Sequence, residues 1–344
     1  MSAELFHAVA SAGMIALAWT ILLGLYLLIV VWAERRIAGL IQDRPGPNRV
    51  GPYGLFQTLA DVPKMFLKED VTPLYVDRLL HTVAPAIILI PALTTIAIVP
   101  LGAPVTIAGR TIPLVVADVN IGVLYLFALT SVSVYGLIIG AWASNNKYSL
   151  LGGLRASAQI ISYELSMGIA AIAVFVSAGS LRPVAVVEWQ GAHVWNCVGQ
   201  VIGCVIFIVS AFAETNRVPF DLPEAESELV GGYHTEFSAF KFGMFFMSEY
   251  ANMFVAAAMI VTLYFGGWTL PFVTFTGNLG ALLSLGVFLA KVFAWVFVFI
   301  WVRWTLPRFR YDQLMALGWK VLLPLSVLNL LAVAWWVASG KGGA

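Results

Sequence analysis

Seven carboxylates crowd into residues 213–252: Glu214, Asp221, Glu224, Glu226, Glu228, Glu236 and Glu249, out of 18 acids in a chain of 344 residues, opposed only by Arg217 and Lys241. Acids this close to one another and to a bilayer lose hydration and repel, and both effects favour the protonated form. Groups poised between two protonation states can exchange protons, so the stretch reads as a proton-handling device. Three ionisable positions, Glu249 among them, lie inside apolar runs. Glu164 sits about 10 Å into its run if the helix begins near Ser157, at ~1.5 Å per residue. Glu249 lies nearer the midplane, about ten residues past Ala239. Lys291 sits in the middle of another run, where a lysine must pair with a carboxylate or lose its proton. Charges at that depth are costly and are read as functional, here as a file across adjoining helices.

The elements that hold these groups are membrane helices. A mean hydropathy of +0.90, with 60% hydrophobic and only 11% charged residues, makes the bilayer the solvent for most of the chain. The expected fold is an all-α polytopic membrane protein, a single domain of about eight transmembrane helices plus one interfacial amphipathic helix. Apolar runs long enough to span cover residues 10–33, 80–101, 119–143, 158–179, 194–213, 239–263, 280–303 and 317–338. Counted over the alternating loops, fifteen of the 19 basic residues fall on one side. That side faces the cytoplasm by the positive-inside rule, and both termini face outward. The N-terminus lacks a basic leader, so the first run is expected to stay as a helix.

Several connecting stretches carry detail. Trp32, Glu34, Arg35 and Arg36 close the first run as an interfacial anchor. The next stretch, 42–52, alternates arginines with three prolines and two glycines, which fits a rigid docking loop for acidic partners or headgroups. Residues 52–70 form the amphipathic helix: Leu55, Leu59, Val62 and Phe66 on one stripe, Gln57, Asp61, Lys64 and Lys68 on the other, with a kink or restart expected at Pro63. Pro85 and Pro91 point to a kinked second span. Residues 105–113 could form a small external hairpin. Residues 144–155 read as a polar turn, and Asp312 beside Arg308 and Arg310 as an ordered pair.

The inventory also excludes. Cys197 and Cys204 lie seven apart in one apolar run, on one helix face at a spacing no disulfide bridges, and two thiols cannot hold an iron-sulfur cluster. His7, His81, His193 and His234 fall at run ends or in loops, unsuited to a membrane haem. Neither familiar nucleotide-binding glycine motif is present. Redox chemistry must therefore be fed by a partner.

Glu34-Arg35-Arg36 with GPNRVGPYGLFQTLADVPK, Ser162-Tyr163-Glu164, AETNRVPFDLPEAESELVGGYHTE and PRFRYDQLM from Pro307 closely resemble the H-subunit family of bacterial NADH:quinone oxidoreductase, respiratory complex I, whose mitochondrial counterpart is NADH dehydrogenase subunit 1. The resemblance covers essentially the whole chain. It implies a helix bundle that joins a hydrophilic redox arm to an antiporter-like membrane arm in a bacterial inner membrane. Quinone, ubiquinone or menaquinone, is the implied substrate, and FMN and iron-sulfur clusters belong to partner subunits. It further implies that Arg35, Arg36, Phe56, Asp61, Lys64, Arg217 and Phe220 line or abut a quinone chamber. By the same resemblance Glu164, Glu214, Asp221, Glu224, Glu226, Glu228 and Glu249 form an acidic path, to which Lys291 is added from its depth; no metal site is implied. Other readings remain open at this point. A secondary transporter also buries carboxylates, but no internal repeat is visible. An energy-converting hydrogenase shares the ancestry, and a plain anchor needs no buried acids.

Overall fold

In the computed structural model the described residues are 3–340 apart from 108–109, 272 and 274–276; the side chains of 3–12, 14–19, 107, 110, 226 and 227 also lie outside the description. Apolar sequence becomes helix nearly everywhere. The helices are α1 (Ala3–Ile41), α2 (Gln57–Leu67), α3 (Arg78–Thr95), α4 (Gly122–Ala143), α5 (Lys147–Ala178), α6 (Pro183–Ala192), α7 (Asn196–Gly199) and α8 (Val201–Glu214), followed by α9 (Glu226–Leu229), α10 (Ala239–Tyr264), α11 (Gly277–Thr305), α12 (Tyr311–Ala316) and α13 (Leu323–Ala338). Among the described residues six helices are long and apolar enough to cross a bilayer: α3, α4, α5, α10, α11 and the continuous 311–338 segment, where a π-helical stretch joins α12 to α13. The protein is an all-α multi-pass membrane protein.

Local chemistry sets the boundaries. Asp77 caps α3 by accepting from the amides of Leu79 and Leu80 at 3.1 and 3.2 Å, satisfying donors the first turn leaves open. Asn146 does the same for α5 through Tyr148. That cap starts α5 eleven residues before the expected span, so residues 147–155 of the expected turn are helix, and Glu164 lies about 25 Å along it. Gly179, with φ 66°, ends α5.

Three other expectations need correction. The run 194–213 is not one helix: Gln200 takes φ −131°, ψ 56° between α7 and α8. Gln200 turns its amide to Ser177 Oγ at 2.8 Å, and α8 is left with 14 residues, about 21 Å. Cys197 and Cys204 therefore stand on different helices, both as free thiols. Pro63 does not restart α2, which runs through it; Pro85 and Pro91 lie inside α3. Asp312 is no ordered partner: it lies 3.7 Å from Arg310 with both side chains mostly exposed, while Arg308 reaches Asp221. The hairpin does form, with Val105–Ile107 paired antiparallel to Arg110–Ile112.

The bundle has two ends. At one, Asp77 N bonds Ala143 O, Ser149 Oγ bonds Tyr233 O, and Phe309 N bonds Pro219 O. At the other, Asn196 bonds Leu263 O and Ala103 N bonds Ser284 Oγ. Between them one continuous apolar core joins α1, α5, α8, α10 and α11. The acidic loop is pinned to α5: Gln159 Nε2 donates to Ala213 O at 2.7 Å and Phe220 O at 2.8 Å. Gly232, with φ 60°, completes the pinning. A Cβ there would stand 1.8 Å from Pro223 O, so only glycine lets residues 223 and 232 close over one another.

Candidate functional site

Four charges from four parts of the chain meet inside the bundle. Arg217, 2% exposed, donates from Nη1 to Glu34 Oε2 at 3.0 Å and from Nε to Glu249 Oε1 at 2.7 Å. Arg303 Nη1 reaches the other oxygen of Glu34 at 2.5 Å. The Arg217 guanidinium also lies 4.5 Å from the centre of the Tyr250 ring. Burying such charges costs several kcal/mol each unless they are paired, and two arginines against two glutamates give formal neutrality. Glu34 and Arg303 are candidates that sequence reading passes over: Glu34 looked like an interfacial anchor, and its partners Arg217 and Arg303 lie 183 and 269 residues away.

Glu249 opens onto a route deeper into the bundle. A cavity of about 30 Å³ is lined by Glu249, Glu214, Asn216, Tyr233 and Asn252 among others. A second, of about 20 Å³, shares Glu214, Thr130 and Asn252 with it. Both exceed the minimum for a water molecule, roughly 10–15 Å³, and both offer several polar partners. Glu164 stands at the far side, where Ser131 donates a hydrogen bond to it from α4. The structure thus sets Glu249 and Glu214 on one small hollow, with Thr130 between Glu214 and Glu164.

The loop acids divide. Asp221 accepts from Arg308 Nη2 at 2.7 Å, and its Oδ1 is buried without a hydrogen-bond partner. Burial, then the charge of Glu224, pushes the Asp221 carboxyl from 3.8 up to about 6, against the pull of Arg308. Burial also pushes Glu224 upward, but His234, with Arg303 and Arg217, outweighs it and leaves that carboxyl below its ordinary value. His234 Nε2 lies 3.5 Å from Glu224, and the Tyr233 hydroxyl 3.4 Å. Glu236 accepts from Asn146 Nδ2 at 2.5 Å, so the residues read as a plain turn hold an acid in place. Glu228 is not brought to the file: its half-exposed side chain pairs with Arg155 at 2.7 Å. The side chain of Glu226 lies outside the described residues.

Of the residues expected around a quinone, Arg35, Asp61 and Lys64 share one patch. Asp61 accepts from Arg35 at 2.7 Å and Lys64 at 3.2 Å. Burial raises the Asp61 carboxyl, and hydrogen bonds from Arg35 and Lys64 more than reverse it, so it is held below its usual range. The stripes of α2 are placed oppositely to a soluble surface helix. Thr58 bonds Leu28 O and faces the protein, while Leu55, Phe56, Leu59, Val62 and Phe66 point outward. Arg36 stands apart, 5.1 Å from the centre of the Tyr53 ring. Phe220 is buried, stacked on Phe309 at 5.6 Å, and it joins Arg217 in the interior.

Lys291 is elsewhere. Its Nζ donates to the backbone carbonyls of Phe265, Gly267 and Thr269 at 2.8, 2.9 and 2.6 Å, and it lies 4.3 Å from the centre of the Trp195 ring. It closes the end of α10 opposite the carboxylates, with no acid as partner among the described residues.

Comparison with known proteins agrees with this architecture. The family model described as NADH dehydrogenase matches residues 14–334. The chain is 53% identical over 319 residues to the H subunit of the NADH-quinone oxidoreductase of Salinibacter ruber, covering 89% of this chain and 90% of that one. It is 52% identical over 324 residues to the NADH-quinone oxidoreductase subunit 8 of Rhodothermus marinus, covering 90% and 92%. It is 52% identical over 307 residues to the second NADH-quinone oxidoreductase H subunit of Geobacter sulfurreducens, covering 89% and 90%. A match across nearly the whole length places this chain in the NADH dehydrogenase family.

Proposed function

We propose that this chain is the membrane subunit of a proton-pumping NADH:quinone oxidoreductase in a bacterial inner membrane, with both termini on the periplasmic side. It forms much of the quinone chamber together with soluble subunits that carry FMN and the iron-sulfur clusters, and it also contacts small and antiporter-like membrane subunits. The outward apolar stripe of α2 suits an isoprenoid tail, and the adjacent Arg35, Asp61 and Lys64 offer the polar edge that a carbonyl head needs. Reduction takes two electrons from a partner and two protons to give the quinol.

The observation that carries the coupling is the double hold on Arg217. Both of its anionic partners can accept a proton, so negative charge arriving near the quinone redistributes protons between Glu34 and Glu249. Glu249 shares one hollow with Glu214, and Thr130 bridges Glu214 to Glu164. Asp221 and Glu224 supply the entry, because their environments push two neighbouring carboxyls in opposite directions, the pattern that separates a proton donor from a proton acceptor. The role of Lys291 in this reading is that of a clamp at the other end of α10 rather than a station. The test is Glu214→Gln in the assembled complex. NADH oxidation by quinone is expected to fall at least tenfold while NADH reduction of ferricyanide stays within about twofold, tenfold corresponding to roughly 1.4 kcal/mol in the coupled step. Equal loss of both activities would mean failed assembly and would remove the support.

A further inference from the structure

The arginine loop after α1 encloses a hollow of about 230 Å³ lined by Arg36, Leu40, Arg44, Asn48 and Tyr53, and no carboxylate lines it. Its two guanidiniums have no acidic partner among the described residues. Arg36 is held by the Tyr53 ring and by Pro47 O at 3.5 Å. Arg44 is braced through Nε to Gln42 Oε1 at 2.7 Å, which leaves its terminal nitrogens uncommitted. The backbone that carries Arg44 is fixed. Its amide bonds Gly39 O at 2.9 Å, and a Cβ on Gly39 would stand 2.7 Å from Arg44 O, so only glycine admits the fold-back. Leu40 and Tyr53, 75% and 72% exposed, add an apolar lip beside the charges.

Resting on the function proposed above, we infer that this hollow receives a carboxylate of a soluble partner subunit, an acidic side chain or a C-terminus, with an apolar neighbour seated on Leu40 and Tyr53. A fixed pair of guanidiniums matches a carboxylate in bidentate fashion. Height separates this occupant from a lipid phosphate. The apolar run of α1 ends at Ala33; Arg36 lies about 4.5 Å further along the helix and Gly39, whose carbonyl holds the Arg44 amide, about 9 Å, whereas the headgroup layer extends only roughly 5–7 Å beyond the hydrocarbon. Arg44 therefore stands above the phosphates, on the side where the chain carries most of its positive charge.

The test uses the purified complex carrying Arg44→Lys, treated with a water-soluble carbodiimide that joins amine to carboxylate without a spacer. A cross-link from position 44 to an acidic residue of a soluble subunit, found by peptide mass spectrometry, is the expected result. In parallel, Arg44→Glu should lower the salt concentration that strips the soluble subunits from the membrane part by about twofold or more, because like charges then face each other. Absence of a protein cross-link, capture of lipid instead, or unchanged salt resistance of Arg44→Glu each overturns the inference. If this happens while the complex still oxidises NADH with quinone, the proposed function stands and only the docking site falls. If the chain purifies with no soluble subunit at all, both fall.

Discussion

Two of the cations inside this bundle, buried Arg217 and half-buried Lys291, are neutralised in opposite ways. Arg217 is shared between Glu34 and Glu249, while Lys291 is held by three peptide carbonyls and the face of Trp195. The first set of partners can take up protons; the second cannot. A cation between carboxylates belongs to a network whose charge can be rearranged, whereas a cation among fixed dipoles is a fastening. Depth in the membrane does not separate the two cases, and sequence reading assigned Lys291 to the relay on depth alone.

The largest effect is expected from Arg217→Met. Removing the shared cation leaves two carboxylates facing each other, and breaking such a buried pair costs about 3–5 kcal/mol. Quinone-linked NADH oxidation should fall by a hundredfold or more, with a lower melting temperature of the complex. Retention of more than a tenth of the activity would place the coupling elsewhere. Lys291→Met should do less: leaving carbonyls unpaired costs about 1–3 kcal/mol, read as thermal instability, while the protons pumped per electron in the surviving enzyme stay unchanged. A fall in that ratio would erase the distinction between the two cations.

The smallest effects concern the acidic loop. Asp221 holds its proton more tightly in the fold than in an unfolded chain, so stability falls as pH rises from 3.8 to about 6; above that window the carboxyl is ionised against Arg308. An infrared carboxyl band that titrates near pH 6 and vanishes in Asp221→Asn is the expected signature. Its absence in the parent enzyme would remove Asp221 as the entry group. Glu228→Gln should change quinone reduction by less than about twofold, since half-exposed ion pairs contribute roughly 0–1 kcal/mol. A large loss there would make the surface pair with Arg155 part of the path.

Much of this was legible beforehand because it is written locally. Apolar runs announce helices, and clustered acids between Glu214 and Glu249 announce themselves by number. The amphipathic stripes of α2 were visible too, although not that its apolar side would face outward. Pairings were not legible. Glu34 with Arg303 and Asp221 with Arg308 join residues 269 and 87 positions apart, and nothing periodic in either segment records the partner. The break at Gln200 was hidden for a related reason. It depends on a hydroxyl supplied by Ser177 from another helix, so the apolar run around it reads as unbroken.

The length of α5 has a mechanical consequence. Near one end it grips the acidic loop through Ser149 and Gln159, and further along it carries Glu164. The rod between Ser149 and Glu164 is about 22 Å long, so a tilt of roughly 5° would displace one station by about 2 Å relative to the other. On the proposed function, a push that the loop receives from outside the bilayer would arrive at Glu164 as leverage along a single stiff beam.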